Sequence, residues 1–281
     1  LSVWPDSRIF GFHFFIISVF FYLKYFNEKK KIIFCYLNVL FLAISSYISI
    51  NFCLFGIFFF YKFFNDLYEN KKLLNYIIIN IFLAFPAFYY LFILDIFFMK
   101  TGLTPGNDIN ALGIKNNLNI ANKILIISGL IFFYLLPFFL YLKKTFLLKK
   151  LKFKELFLLV LFSIINIYLF NYKIEFTGGG IFFKISNFLF GNNILLYLVS
   201  IYAIFIIYLL IKEIKEKLII IFLIFLSNPQ LSIYHKYYDP LLIFLFFTIF
   251  ELNIKKDYFN IKNISILNIF YFIFLVLNFL K

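Results

Sequence analysis

Residues 32–64 read IIFCYLNVLFLAISSYISINFCLFGIFFFYKFF, an apolar stretch broken near its middle by four polar residues. These are Ser45, Ser46, Ser49 and Asn51. One membrane crossing needs only about 20 mostly apolar residues, so the stretch is too long for a single helix. We therefore predict two helices joined by a very short turn at about residues 47–50.

The composition indicates a membrane protein. Hydrophobic residues make up 64% of the chain and aromatic residues 25%, while only 14% are charged. This apolar share is well above that of a typical soluble domain. So few charges could not cover so much apolar surface in water, and a bilayer is the better solvent. The expected fold is an all-α polytopic bundle.

About ten membrane helices are predicted from the apolar segments. They run at about residues 8–26, in two helices within 32–64, and at 73–94, 122–142, 155–172, 193–211, 217–234, 237–252 and 263–280. We treat residues 1–281 as one integral membrane domain. Because the chain begins with Leu1 and no basic leader precedes the first apolar segment, we expect it to be the C-terminal part of a longer protein.

The basic residues provide an independent test of this count. With ten helices, 19 of the 27 basic residues fall on one side of the membrane and eight on the other. The lysine-rich side should be cytoplasmic by the positive-inside rule. If residues 32–64 formed one helix, the later lysine clusters would change sides. The net charge of +14 is thus explained by topology, and no nucleic-acid partner is expected.

The opposite, outer side carries the polar segments with more varied chemistry. They are residues 4–8, 95–121, 173–192 and 228–240. The inner connections are short lysine and glutamate stretches by comparison. We therefore expect a functional site to face outward.

Residues 228–240 read NPQLSIYHKYYDP and form a polar segment between two apolar ones. Asp239-Pro240 is typical of a helix start, because aspartate caps the first turn and proline has no N–H to leave unpaired there. The candidate substrate-binding residues of this segment are Gln230, His235, Lys236, Tyr237 and Tyr238. His235 and Lys236 would bind an anionic headgroup. The alternative is a kinked connection whose polar residues meet water.

Two residues before the first helix are further candidates. Arg8 is the only arginine of the chain, and its planar guanidinium suits phosphate or carboxylate. Its alternative role is an interfacial anchor. Asp6 is a weak candidate for a general base, although a cap or a partner for Arg8 is the more common role.

Other polar residues have simpler explanations. His13, one turn into the first helix, is expected to be packed and hydrogen-bonded. Gly178–Gly180 could approach a phosphate, but a flexible turn is the preferred interpretation. Asp95 and Asp108 could be acid–base groups or turn residues. Cys35 and Cys53 are expected to be buried free thiols, and neither a metal nor a cofactor is expected.

Two stretches resemble the GT-C class of membrane glycosyltransferases, which use polyprenyl-phosphate sugars as donors. WPDSRIFG at residues 4–11 resembles the outward loop and helix entry of this class, and SSYISIN at 45–51, with Phe55 and the exit at Tyr61-Lys62, resembles the tight helix pair that follows it. The segment 228–240 is similar to the polar loop before the last helices.

This resemblance implies a hexosyltransferase that uses a polyprenyl- or dolichyl-phosphate sugar at the outer or lumenal face. The membrane would be a bacterial inner membrane or the endoplasmic reticulum, and membrane lipid would be a further partner. The acidic residue of the class lies after its first helix, so no catalytic base is transferred to this sequence. The alternatives are a transporter or flippase for a lipid-linked or anionic substrate, and a non-catalytic membrane subunit.

Overall fold

The computed structural model describes residues 7–28, 30–92, 119–139, 152–173, 178–226, 233, 237–250 and 260–279. Most of these residues are helical, without a strand among them, so the predicted all-α class is confirmed. In this part of the chain, Ile9–Asn27 and Ile120–Phe138 are long and apolar enough to cross a membrane. The count of about ten crossings remains a prediction.

The α-helices are α1 Ser7–Asn27, α2 Ile32–Ile48, α3 Gly56–Glu69, α4 Leu73–Phe92, α5 Ile120–Phe139, α6 Phe153–Tyr168, α7 Gly180–Phe190, α8 Ile194–Leu210, α9 Ile214–Leu226, α10 Asp239–Phe244 and α11 Ile261–Phe279. A 3₁₀ helix, Ile50–Phe55, precedes α3, and a π-helical segment, Leu245–Ile249, follows α10. The helices group into two compact units. The first contains α1–α4, α9, α10 and the π-helical segment, and the second contains α5–α8 and α11.

The predicted division of residues 32–64 is confirmed. Helix α2 ends at Ile48, and Ser49 has an extended backbone. Lys30, just before α2, binds Asp66 near the end of α3, with 2.7 Å between Nζ and Oδ1. The chain therefore reverses between α2 and α3. The connection is longer than predicted, because the 3₁₀ helix delays the start of α3 until Gly56.

Helices α1 and α2 form an antiparallel pair. Phe14, early in α1, stacks on Phe41, late in α2, while Phe21 stacks on Phe34. At the open end of the pair, Gly11 allows close approach, since a Cβ there would lie 3.2 Å from Cγ2 of Ile48. Ring packing thus joins the two helices along most of their length, and the small Gly11 lets their backbones approach closely at the open end.

One end of the first unit, which we call the lysine-rich end, gathers three of the clusters predicted to be cytoplasmic. The Lys30–Asp66 pair joins the start of α2 to α3. Lys62 of α3 contacts Glu213, just before α9, at 3.0 Å and Glu216 of α9 at 2.5 Å. These contacts place three clusters on one side of the unit, as the charge pattern requires.

The helices of the second unit alternate in direction. Asn122 at the start of α5 contacts Asn171, just past the end of α6. Phe170 packs edge-to-face on Tyr197 near the start of α8. Helices α5 and α8 therefore run the same way and α6 runs against them. Ser200 of α8 donates to the Leu125 carbonyl of α5 at 2.7 Å, a bond between two apolar helices.

Helix α6 has the reverse of a soluble helix's polarity. Its buried residues include Ser163 and Asn166, whose side chains donate to carbonyl oxygens one turn earlier. Its exposed residues are large and apolar, among them Phe157, Leu158, Leu161, Ile164 and Ile165. Water would not favour this arrangement, whereas hydrocarbon solvates such a surface and polar groups turn toward protein.

Three sequence predictions need correction. Residues 173–192 were predicted to be a loop, but they contain α7, an 11-residue helix between two glycines. The ninth predicted helix, 237–252, is a short α-helix followed by the π-helical segment. The last correction concerns Cys53, which is exposed and not buried, although both cysteines are free as expected.

Candidate functional site

The structure places few of the residues predicted to bind substrate. Arg8 lies in the first turn of α1, but its side chain lies outside the described part. Also outside it are Asp6, Gln230, His235, Lys236, Asp95 and Asp108. Their assignments remain predictions.

Tyr237 and Tyr238 precede α10, which begins at Asp239 as predicted. Tyr237 is half-buried, whereas Tyr238 is fully buried in the first unit. Tyr237 is the more accessible of the two predicted sugar-site residues.

His13 differs from its expected environment. It is exposed on α1, and its Nδ1 lies 2.7 Å from the Ile9 carbonyl oxygen one turn earlier. The expected hydrogen bond is present, but the ring does not pack inside the unit. This local bond gives no indication of a catalytic role.

A pair of asparagines in the second unit, which we call the asparagine clamp, joins α5 to the end of α6. The side-chain N–H of Asn122 donates to Oδ1 of Asn171 at 2.7 Å, and the backbone N–H of Asn171 donates to Oδ1 of Asn122 at 2.9 Å. Asn122 is fully buried. The reciprocal bonds fix the start of α5 against the chain that leaves α6.

Lys123 follows the clamp directly and is the most unusual residue of this unit. Its side chain is 0% exposed, although it sits in the first turns of a helix that is otherwise strongly apolar. A buried ammonium is costly in an apolar bundle and is usually retained for a partner or a ligand. The charge pattern predicts that this end of α5 lies on the outer side.

Three consecutive glycines stand at the start of α7. Gly178, Gly179 and Gly180 all have positive φ, of 109°, 79° and 75°. A Cβ on Gly180 would come 3.3 Å from Cγ2 of Ile126, one turn along α5 from Lys123. The start of α7 therefore lies against α5, one turn from Lys123, and the flexibility of the glycine turn stays a prediction.

Sequence reasoning counted Lys123 only as an outer-side charge. The signal that could have found it is the pair Asn122-Lys123, placed inside the predicted span 122–142 and not before it. A lysine at the membrane surface would sit outside the apolar segment. Here the helix begins at Ile120, so both residues fall within its first turn and a half.

A second charged cluster is at the lysine-rich end of the first unit. Tyr61 donates to Glu213 at 2.7 Å, and Lys62 is shared by Glu213 and Glu216. Burial lowers the pKa of Lys62, but hydrogen bonds to Glu216 and Glu213 outweigh it and leave the pKa raised. The hydrogen bond to Glu213 raises the pKa of Tyr61. These contacts join α3 to the start of α9, which indicates a structural role.

The two clusters differ in chemistry. In the described ranges, no group of three or more histidine, cysteine or acidic residues could hold a metal ion. The cluster around Lys62 joins one cation to two carboxylates. Lys123 is a fully buried lysine that follows the asparagine clamp in the sequence, and an ammonium is a group that binds an anion such as a phosphate. This second arrangement is the better candidate for a ligand site.

No protein-family model matches the sequence, and neither a curated protein nor a solved structure matches it significantly. Any function assigned to the chain has to come from its own residues.

Proposed function

We propose that the chain is a polytopic integral membrane protein with about ten crossings. The reversed polarity of α6 supports this proposal, because its apolar face needs hydrocarbon and its polar residues face protein. The gathering of cytoplasmic lysine clusters at one end of the first unit supports the same topology. A bacterial inner membrane or an endoplasmic reticulum membrane would suit it.

Within that membrane, the proposed activity is that of a glycosyltransferase of the GT-C type. It transfers a hexosyl group from a polyprenyl-phosphate donor to an acceptor hydroxyl at the outer or lumenal face. The observation that carries this proposal is Lys123, a fully buried cation beside the asparagine clamp on the side predicted to be outer. A lipid phosphate is a ligand whose charge such a site would neutralise.

The proposed reaction gives Lys123 a specific role. The acceptor oxygen attacks the anomeric carbon, and the bond from that carbon to the phosphate oxygen breaks with its electron pair moving to the phosphate. A carboxylate takes the hydroxyl proton. Lys123 would stabilise the charge that develops on the leaving phosphate.

The test uses purified protein in detergent, with a short polyprenyl phosphate as the probe and the matching polyprenol as its uncharged analogue. We expect the phosphate, and not the alcohol, to raise the thermal midpoint. Lys123→Met should weaken phosphate binding by about tenfold or more, since a charge-assisted hydrogen bond contributes about 1.5–3 kcal/mol. Lys123→Arg should retain part of the binding.

Lys173→Met is the matched control, because Lys173 is an exposed lysine on the same predicted side of the same unit. It should leave the binding constant near the wild-type value. Equal weakening by both substitutions, or equal binding of the phosphate and the alcohol, would reject the site at Lys123. Transfer is then tested with hexose-loaded donor and the full-length protein.

A transporter or flippase is the second candidate, and one observation favours it. Phe55 ends the 3₁₀ helix and Phe244 ends α10 before the π-helical segment, and their rings pack 4.9 Å apart. Two interrupted helices thus meet in the first unit, and interrupted helices are typical of transport sites. Movement of a labelled polyprenyl phosphate across proteoliposomes without sugar transfer would favour this function.

A further inference from the structure

Helix α7 is too short to cross a bilayer. Its 11 residues rise about 16 Å, whereas the hydrocarbon core is about 30 Å thick. The helix lies between α6 and α8 in the chain, on the side predicted to be outer. A helix of this length must end within the membrane or at its surface.

The buried side of α7 is firmly attached to the second unit. Phe183 packs against Tyr172 with ring centroids 5.1 Å apart. The hydroxyl of Ser186 donates to the Asn192 carbonyl at 2.7 Å and accepts the backbone N–H of Leu195 at 3.1 Å. These contacts fold α7 back onto the start of α8. The orientation of its remaining surface is therefore fixed by the fold.

The last turn of α7 exposes three large apolar side chains in succession. Phe188 is 88% exposed, and Leu189 and Phe190 are both more than half exposed. Ile194 and Leu198, in the first turns of α8, are apolar and more than half exposed as well. Lys184, one turn before Phe188, is exposed on the second turn. Exposed apolar residues one turn from a lysine are typical of helices at membrane interfaces.

We propose that α7 is an interfacial membrane anchor whose last turn inserts into the acyl chains of the outer leaflet. This inference rests on the proposed membrane location. The occupant of the surface at Phe188, Leu189 and Phe190 is phospholipid, with the acyl chains against the rings and the headgroups level with Lys184. The exposed apolar residues of α6 and α8 in the same unit support the choice of lipid, because hydrocarbon solvates such surfaces and water does not.

The test uses tryptophan fluorescence of the whole chain in lipid vesicles. Trp4 is the one tryptophan in the sequence, so Trp4→Phe provides a silent background. Phe188→Trp reports on α7, Ile164→Trp on the exposed face of α6, and Tyr68→Trp on the end of α3 at the lysine-rich end. Phospholipids brominated close to the headgroup or near the chain ends quench tryptophans in the bilayer, and acrylamide quenches those in water.

The Phe188→Trp emission should shift to shorter wavelength, and lipids brominated near the headgroup should quench it most. Ile164→Trp should be quenched best by bromine near the chain ends, and Tyr68→Trp by acrylamide. Phe190→Trp carries the same test if Phe188→Trp does not fold. If acrylamide alone quenches the tryptophan on α7 while brominated lipid still quenches the one on α6, the interfacial anchor is rejected and the membrane location stands. Absence of lipid quenching at both positions would overturn both.

Discussion

Asn38 on α2 and Ser18 on α1 exchange hydrogen bonds in both directions. The Asn38 side-chain N–H groups donate to the Ser18 carbonyl oxygen at 2.8 Å and to its hydroxyl oxygen at 2.9 Å, and that hydroxyl donates to the Asn38 carbonyl at 2.9 Å. Both residues are fully buried. These bonds join two apolar helices whose other contacts are mostly ring packing, so they fix the register of the pair.

We expect Asn38→Ala to destabilise the α1–α2 pair by about 0.6–2 kcal/mol, the range of interhelical hydrogen bonds in membranes. Asn80→Ala is the matched control, because the Asn80 side chain donates to Tyr76 of its own helix at 2.8 Å. It should cost less. Thermal unfolding in one detergent measures both variants, and equal losses would show that the bond between helices adds nothing.

The ion pairs of the lysine-rich end should differ strongly in strength. The Lys62 side chain is 19% exposed and that of Glu216 only 6%, so Lys62→Ala leaves a buried carboxylate without its cation and should cost about 3–5 kcal/mol. Lys30→Ala is the control. Its side chain is 52% exposed, and its loss should cost about 1 kcal/mol or less. Denaturant unfolding of the two variants compares these losses directly. Equal losses of unfolding free energy would contradict the prediction that the Lys62 pair is the stronger one.

The same cluster predicts a loss of stability at alkaline pH. The pKa values of Lys62 and Tyr61 are raised in the folded state, so the folded chain holds these protons more tightly than the unfolded one. Their contribution to the stability of the fold is present below the pKa values of the unfolded chain, near pH 10. It is lost as the pH rises through the pKa values of the folded chain. Tyr61→Phe with Lys62→Met should flatten the fall in unfolding free energy above about pH 10. An unchanged slope would contradict the prediction.

Gly179 should tolerate alanine less well than Gly191 does. Both have positive φ, of 79° and 64°, so each substitution meets the left-handed penalty of about 1–2 kcal/mol. A Cβ at Gly179 would also overlap the ring of Phe183, whereas Gly191 faces open space. The difference between Gly179→Ala and Gly191→Ala in thermal midpoint isolates the clash. Equal midpoints would mean that the Phe183 ring moves aside freely.

Phe244 is expected to be the most sensitive aromatic residue of the first unit. It is fully buried, and its ring lies 4.8 Å from that of Phe58 and 4.9 Å from that of Phe55. Phe244→Ala should cost about 3–5 kcal/mol through the cavity it leaves. Phe247→Ala, at an exposed position in the π-helical segment, is the control and should cost far less. Similar unfolding free energies would show that the ring cluster is loosely packed.

The sequence predicted the helical elements well where long apolar segments meet polar breaks. Composition and lysine spacing were enough to divide residues 32–64, and the Lys30–Asp66 contact bears this out. The sequence did not predict α7, because an 11-residue apolar segment is too short for a span and its glycines read as a loop. Tertiary contacts such as the packing of Phe183 on Tyr172 hold α7 in place, and no local pattern reveals them.

The candidate site was less predictable than the fold. Residues 228–240 drew attention because they are polar in an apolar context, whereas Lys123 was hidden in an apolar span. Whether a lysine at a helix end lies in the interface or inside the bundle depends on which helices cover it. That depends on tertiary packing, here of α5 against its neighbours in the second unit, and local hydropathy does not contain it.

The pairing of Lys62 with Glu213 and Glu216 determines when this part of the first unit can form during synthesis. Glu213 follows Lys62 by 151 positions, and the second unit's helices α5–α8 are encoded between them. As the chain leaves the ribosome, Lys62 can have neither of its carboxylates until those four helices have been made. The first unit therefore cannot be completed before helices α5–α8 have been made, and a nascent chain arrested before residue 213 carries Lys62 without its carboxylates in an unfinished bundle.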